Sequence, residues 1–227
     1  MTDAVTSHAI APSVLETELP IADGVVHSRY VKALLVKCRE RTLFLKGIEN
    51  AASARWRSQL LEWEQSSQGP VLLVINSMGG DARGGDALAQ ALRMMAAPPV
   101  ALVIGRAFSA ACAVLQGCQL RLATRHARLM VHYATGEMNF ELRYGSDGDW
   151  IPEVVGQKRV QMESDALATI ASLVRRTGRD ASTFESLLKL DRVLDADEAL
   201  ALGLLDAIVS DEPIKNANVA AAFPPRN

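Results

Sequence analysis

Two apolar runs in the middle of the chain constrain its fold more than any other feature. The sequences PVLLVINS (70–77) and PVALVIG (99–105) carry one apolar residue after another instead of alternating with polar ones. A strand with this pattern is buried on both faces, which is typical of a parallel sheet covered by helices. Helical segments at about 51–65 and 87–95 separate these strands from each other and from a strand at 42–47. The sequence therefore predicts an α/β fold.

Short strands and longer helices continue through the second half of the chain. The periodicity and the turn residues predict a short helix at 106–117, strands at 121–124, 128–133 and 204–209, a loop or hairpin at 140–150, and a long helix at about 154–176. Ser182 and Asp195 are the predicted N-caps of two later helices, and Glu198 has the spacing of a capping-box partner for Asp195.

The pattern weakens at both ends of the chain, which defines the predicted domain organisation. Breakers such as Pro12 and Pro20 interrupt the beginning, and the end is rich in Ala, Pro and Asn. We therefore expect a flexible arm over residues 1–24, one folded domain over 25–211 and a loose tail over 212–227.

Composition narrows the classes of function. The net charge is −2, with 24 basic and 26 acidic residues mixed along the chain, so a basic face for nucleic acid is not expected. No apolar run approaches the roughly 20 residues of a membrane span. The three cysteines show no C-x-x-C pair, and the beginning does not resemble a secretion signal, so a cytoplasmic location is expected. There is no HExxH motif, and neither a metal nor another cofactor is expected.

Three side chains could together carry nucleophilic catalysis. Ser109 follows a predicted buried strand and starts a small-residue helix, His132 directly follows an apolar strand, and Asp191 lies between two helices. A serine nucleophile needs a base, and the base needs an orienting acid. Each residue also has an ordinary structural explanation: a helix N-cap for Ser109, a hydrogen-bonded core histidine for His132 and a helix-flanking acid for Asp191.

A glycine pair follows the strand at 70–77. Gly79 and Gly80 would allow positive φ angles or close approach of the backbone to a ligand. The surrounding sequence matches neither GxxxxGK[ST] nor GxGxxG, so a nucleotide site is not predicted. The N–H group of Gly80 could instead form half of an oxyanion hole.

Four segments together resemble the proteolytic subunit of Clp proteases, over roughly residues 36–211. VINSMGG (74–80) is similar to the family's INSPGG, GRAFSAAC (105–112) to GQAASMGA, and MVHY (130–133) to MIHQ. DRVLDADEALALGLLD (191–206) is similar to DRFLSAPEAVEYGLVD. The order and compatible spacing of four motifs are more specific than any one of them.

The resemblance implies an activity and its residues. It implies a serine endopeptidase with Ser109 as nucleophile, His132 as general base and Asp191 as orienting acid, and with the N–H groups of Gly80 and Ala110 as the oxyanion hole. An extended substrate would pair with residues 80–85. The substrate-binding residues that the resemblance implies are Gly79, Gly80, Asp81, Ala82 and Tyr133.

The resemblance also implies an architecture and partners. The fold would be the ClpP/crotonase-like α/β fold with a protruding strand–helix handle. Subunits would form homo-oligomeric rings of seven that stack around a chamber, which admits peptides or unfolded proteins. An ATP-driven unfoldase usually feeds such a chamber, whereas neither nucleic acid nor a membrane is an expected partner.

Several positions differ from the family pattern. Met78 replaces a proline, Tyr133 replaces a glutamine, and Leu72 and Val74 stand where tyrosines are common on the unfoldase-docking surface.

Other functions also stay open. One alternative is a catalytically weak or structural ring subunit. Another is a crotonase-type acyl-CoA enzyme, although such enzymes rely on acidic residues. A Ser–Lys dyad would need a lysine, and neither the GRAFSAAC nor the MVHY segment has one.

Overall fold

A curved, mostly parallel sheet forms the centre of the molecule. The computed structural model describes residues 19–66, 69–133 and 151–211. The strands in these ranges are β1 Ile21–Ala22, β2 Val25–His27, β3 Thr42–Leu45, β4 Val71–Ser77, β5 Pro99–Phe108, β6 Leu120–Thr124, β7 Arg128–Met130, β8 Val193–Asp195 and β9 Ala207–Ser210. The helices are α1 Ser28–Lys37, α2 Asn50–Ser66, α3 Ala82–Met94, α4 Ala110–Gly117, α5 Ile151–Thr177, α6 Ala181–Leu190 and α7 Ala196–Ala201.

The sheet has a main layer and a smaller extension. The main order is β1-β2-β9-β6-β5-β4-β3, and every neighbouring pair after the antiparallel β1–β2 pair is parallel. Strand β5 pairs first with β6 and then, along its last residues, with β7. Strand β8 pairs antiparallel with β7. Strands β6 and β7, although close in sequence, do not form a hairpin, because each pairs in parallel with a different part of β5.

Both faces of the sheet are buried, as the apolar runs predicted. Leu73 and Ile75 of β4 pack in a large core with α2, α3 and α4, whereas Leu72 and Val74 pack in a second core with α1. Each of the four side chains is at most 6% exposed. Leu72 and Val74 are therefore core residues of a single subunit, which corrects their expected place on a surface that docks a partner.

Helix α3 begins five residues earlier than its predicted start at 87. Asp81 caps the helix by accepting a hydrogen bond from the N–H of Gly84. Gly84 and Gly85 lie inside the helix because neighbouring helices approach them closely: a Cβ on Gly85 would lie 2.9 Å from the Cβ of Ala110. In the sequence these glycines suggest a turn, but in the structure they allow α3 and α4 to pack closely together.

Other boundaries agree in part with the predictions. The capping box of Asp195 and Glu198 is confirmed, with both hydrogen bonds present. The predicted cap at Ser182 is wrong, since α6 starts at Ala181 and Asp180 occupies the N-cap position. Residues 19–24, assigned above to the arm, include the buried Leu19 and strand β1.

The mixed helix and sheet architecture confirms the predicted α/β class. Helix α5 confirms the long helix predicted at about 154–176, whereas the loop or hairpin predicted at 140–150 and most of the arm and the tail lie outside the described residues. Among the helices of the described ranges, none is both long and apolar enough to cross a membrane.

Candidate active site

Ser109 occupies a sharp turn between β5 and α4. Its backbone has φ 55° and ψ −127°, which is rare for a residue with a side chain. The Ser109 N–H donates to the Met130 carbonyl of β7 at 2.9 Å, which holds the turn against the sheet extension. Although Ser109 stands at the N-cap position of α4, its hydroxyl forms no capping hydrogen bond. The hydroxyl is therefore not used to cap the helix, and strained backbone of this kind is concentrated at functional sites.

His132 meets Ser109 because their two strands are neighbours. Phe108 of β5 pairs with Met130 of β7, and each catalytic candidate lies just beyond the end of its strand. The His132 Nε2 atom is 2.7 Å from the Ser109 Oγ, which is a hydrogen-bonding distance. The structure thus brings together two candidates that are 23 residues apart in sequence.

The β7–β8 pairing brings Asp191 to the other side of the histidine. Met130 pairs with Val193, so a continued antiparallel register would place His132 opposite Asp191. Asp191 ends α6 in the left-handed region, with φ 48° and ψ 37°, which aspartate tolerates better than most residues. Its Oδ1 lies 4.0 Å from the His132 Nδ1, and the Asp191 side chain is 69% exposed. The acid is therefore adjacent to the imidazole but is not hydrogen-bonded to it.

The glycine pair forms a second turn beside Ser109. Gly79 has φ +99°, and a Cβ there would lie 2.7 Å from both the Phe108 carbonyl oxygen and the Ser109 Cβ. Gly80 has φ +142° and pairs with Ile48, whose carbonyl would lie 2.1 Å from an added Cβ. Both positions thus require glycine, since the backbone passes against other backbone on each side.

Two N–H groups near Ser109 are available to a substrate. Ala110 is the first residue of α4, so its N–H has no acceptor within the helix. The Ile48 N–H donates to the Gly79 carbonyl at 2.9 Å, and the Ile48 carbonyl accepts from the Asp81 N–H at 2.6 Å. The Gly80 N–H, which lies between these two bonds, has no acceptor among the described residues. Such N–H groups beside a nucleophile suit a developing negative charge on oxygen.

The predicted substrate strand is shorter than expected. Residues 80–85 were expected to be extended, but α3 starts at Ala82 and the Asp81 carboxylate serves as its cap. Before the helix, Asp81 has an extended backbone and Gly80 forms a parallel bridge with Ile48. Ala82 and Tyr133 still line the cleft that contains Ser109 and His132.

A cleft of about 170 Å³ opens beside Ser109, enclosed by α3, α4 and α5. A larger groove of about 770 Å³ lies between α5 and α6 and shares Tyr133 and Ala166 with it. Two carboxylates that the sequence reasoning missed, Asp86 and Asp165, also line the cleft. Asp86 is one helical turn after Ala82, so this position could have been found had the start of α3 been predicted correctly.

The two cysteines in and at the end of α4 are poorly suited to act as nucleophiles. Cys112 and Cys118 are buried in α4 and at its end, and burial raises the pKa of each thiol to about 12. Both thiols are therefore protonated and poorly nucleophilic at neutral pH. The described part of the chain holds no group of three or more histidine, cysteine or acidic side chains placed to bind a metal ion.

Comparison with known proteins agrees with the fold and with the family that the sequence resembles. The family model described as Clp protease matches residues 27–212, which is most of the chain. Among solved structures, a ClpP1 mutant from Listeria monocytogenes superposes with a TM-score of 0.63 at 20% sequence identity, covering 83% of this chain and 98% of that one. At this identity the superposition supports the ClpP-like fold, and the family match supports the class of activity. The chain therefore belongs to the Clp protease family and is a serine peptidase of the ClpP type.

Proposed function

We propose that the protein is a serine endopeptidase that cleaves peptides or unfolded proteins through a covalent acyl-enzyme, with Ser109 as the nucleophile. The observation that carries the proposal is the 2.7 Å distance between the Ser109 Oγ and the His132 Nε2. A serine hydroxyl is a weak nucleophile until a neighbouring base accepts its proton, and an imidazole nitrogen at this distance can do so.

In the proposed reaction, the Ser109 Oγ attacks the carbonyl carbon of the scissile bond while the His132 Nε2 takes the hydroxyl proton. The π electrons of the carbonyl move onto its oxygen and form a tetrahedral intermediate. When the intermediate collapses, the amine leaves with the proton from His132, and an ester remains on Ser109. A water molecule then attacks the ester while it gives one proton to His132. When this second intermediate collapses, His132 returns the proton to the Ser109 Oγ, and the new carboxylic acid leaves.

The N–H groups of Gly80 and Ala110 are the proposed oxyanion hole. They flank the Ser109 turn, since a Cβ on the neighbouring Gly79 would lie 3.2 Å from the Ala110 nitrogen. The Ala110 N–H also lies at the positive end of the α4 dipole. Fixed donors of this kind stabilise the oxygen charge without reorganising during the reaction.

Asp191 is the proposed orienting acid for His132. At 4.0 Å, its carboxylate must approach the Nδ1 atom by about 1 Å to accept a hydrogen bond. The exposed side chain has room for this movement, and catalytic hydrogen bonds are often long before substrate binds. The acid would then hold the imidazole tautomer in which Nε2 is free to accept the serine proton.

We also propose homo-oligomeric rings of seven subunits, which stack to enclose the cleft in a chamber. The family generally forms oligomeric rings, and the single subunit exposes many large apolar side chains that other copies could cover. The most exposed of these are Val36, Phe44, Met94, Val160, Leu167 and Leu190. An ATP-dependent unfoldase would supply unfolded chains to such a chamber.

The three buried free thiols fit a reducing compartment, so we propose that the protein is cytoplasmic.

Labelling with an alkyl fluorophosphonate tests the nucleophile directly. The wild-type protein should be labelled on Ser109, Ser109→Ala should not be labelled, and His132→Ala should be labelled far more slowly because the base is lost. Ser182→Ala, which changes an exposed serine of α6, serves as the matched control and should be labelled like the wild type. Undiminished labelling of Ser109→Ala would contradict the proposal.

The short Ser109–His132 distance also weighs against a purely structural ring subunit, for which a misaligned pair would be expected. The acyl-CoA alternative makes a different prediction: it requires turnover of an acyl-CoA with no acylation of Ser109. Electron microscopy of the full chain, together with the labelling experiment, would test assembly and chemistry separately.

A further inference from the structure

Two carboxylates face the cleft beside Ser109. Asp86 is on α3 and Asp165 on α5, so two helices that are distant in sequence each contribute one acid. Both side chains line the same cleft as Ser109 and His132. They also line a second cavity between α3 and α5, so the two acids lie on the wall that separates this cavity from the cleft.

The rest of the cleft is mainly apolar. Val131, Leu173 and Leu188 line its buried side and are 6%, 4% and 2% exposed, respectively. Ala110 and Ala113 of α4 complete this side. A pocket with an apolar lining and a negative wall matches a side chain that has an aliphatic stem and a cationic end, as lysine and arginine do.

The charges of the two acids are not balanced by direct partners. Among the described residues, neither carboxylate lies within 4.0 Å of a cationic nitrogen, and the Asp165 carboxylate accepts a hydrogen bond from the Gln161 amide at 2.7 Å. Both acids are exposed on the single subunit, but partial burial of Asp86 against the surrounding helices raises the pKa of its carboxyl, and the charge of Asp165 raises it further. Arg93 opposes this effect from a distance, and Arg83 lies in the cleft lining at the start of α3.

We propose that Asp86 and Asp165 make this cleft a specificity pocket for a basic side chain on the acyl side of the scissile bond. The inference rests on the proposed attack by Ser109, whose Oγ shares the cleft with both acids. In this proposal, a carbonyl held at the Gly80 and Ala110 N–H groups has the side chain of its own residue in this cleft, whose lining includes residues of α3 and α4. An ammonium or guanidinium group there relieves the repulsion between the two carboxylates and gains a charge-assisted hydrogen bond.

Peptidyl aryl phosphonates test the preference on the assembled full-length protein. One probe carries a lysine-type side chain next to the phosphorus, and its partner carries a norleucine-type side chain that lacks only the ammonium group. In each case the Ser109 Oγ displaces an aryloxide from phosphorus, so labelling needs no turnover. All rates are divided by the rate with a small alkyl fluorophosphonate.

We expect the lysine-type probe to label the wild type about tenfold faster than the norleucine-type probe, as one charged hydrogen bond would give. The double variant Asp86→Asn/Asp165→Asn should lose this preference. Asp180→Asn removes an exposed acid outside the cleft, whose side chain forms no capping bond, and should keep the preference. Asp165→Lys should reverse it in favour of the uncharged probe.

Equal rates for the two probes in the wild type, or a lysine preference that survives in the double variant, would overturn the inference. If the fluorophosphonate labels Ser109 and the preference is absent, the specificity pocket fails while the proposed nucleophile stands. If the fluorophosphonate does not label Ser109 in the wild type, the proposed function fails and the pocket fails with it.

Discussion

The backbone of Gly79 passes so close to Ser109 that a Cβ on residue 79 would lie 2.7 Å from the Ser109 Cβ. This contact joins the turn after β4 to the turn after β5, and it places the proposed oxyanion donor next to the proposed nucleophile. The closeness of the two turns therefore sets the geometry of the site.

Gly79→Ala should lower the activity sharply. The alanine would need φ near +99° and would collide with Ser109, so the turn must move and carry the Gly80 N–H with it. We expect kcat/KM to fall by roughly 100-fold, which is typical for the loss of one oxyanion donor, and the free energy of unfolding to fall by about 1–3 kcal/mol.

Gly156→Ala is the matched control for that variant. An added Cβ on Gly156 meets nothing within 4 Å, and the residue lies inside α5. Because alanine favours helix more than glycine does, this change should raise stability by about 0.5–1 kcal/mol. Wild-type kinetics in Gly79→Ala would show that the two turns do not need to be so close.

Replacing Ser109 by glycine should stabilise the protein relative to replacing it by alanine. Both variants lose the hydroxyl and should be inactive, but only glycine relaxes the backbone at φ 55° and ψ −127°. Strain of this kind is worth about 1–3 kcal/mol. Chemical denaturation of the two variants measures the difference, and a less stable glycine variant would mean that the turn is not strained.

The buried Arg121 should be more important for stability than any surface ion pair. Its guanidinium bonds the Asp206 carboxylate, including Nε to Oδ2 at 2.9 Å, and the Gly203 carbonyl at 2.8 Å, while Arg121 is 4% exposed. Asp206→Asn leaves this buried cation without its main counter-charge, so we expect a loss of about 3 kcal/mol in unfolding free energy.

Asp197→Asn provides the comparison for the Arg121 network. Asp197 pairs with Arg125 at 3.2 Å, but both side chains are more than half exposed. Exposed pairs of this kind contribute at most about 1 kcal/mol. Similar losses in Asp206→Asn and Asp197→Asn would contradict the importance assigned to the buried network.

Asp86 should make the protein less stable as the pH rises above the acidic range. Burial, and then the charge of Asp165, raise the folded-state pKa of Asp86 above its ordinary value of 3.8, so the folded protein binds this proton more tightly than the unfolded chain does. The penalty is absent below pH 3.8 and complete above the raised folded pKa.

Asp86→Asn removes that penalty and tests its sign. The variant should melt at a higher temperature than the wild type at pH 8, and the difference should shrink as the pH is lowered toward 4. Thermal melts across this range measure the effect. A difference that instead grows at low pH would mean that the carboxylate form of Asp86 is favoured by folding.

Much of the fold could be predicted because its signals are local. The unbroken apolar runs identify β4 and β5 as strands buried on both faces, and helices α2 and α5 differ from their predicted bounds by at most a few residues. The capping box at Asp195 is likewise contained within four residues. The start of α3 was missed because the packing that requires Gly84 and Gly85 involves other helices.

The sequence by itself determined the α/β class, the family and the identity of the candidates Ser109, His132 and Asp191, since these follow from hydrophobic pattern and from ordered motifs. Only the tertiary structure decided that β5 runs on to pair with β7 and so brings Ser109 to His132. It also decided that the Asp191 carboxylate lies 4.0 Å from the imidazole, and that Asp86 and Asp165 face the same cleft. These relationships depend on strand pairing and helix packing between distant parts of the chain, which no local pattern specifies.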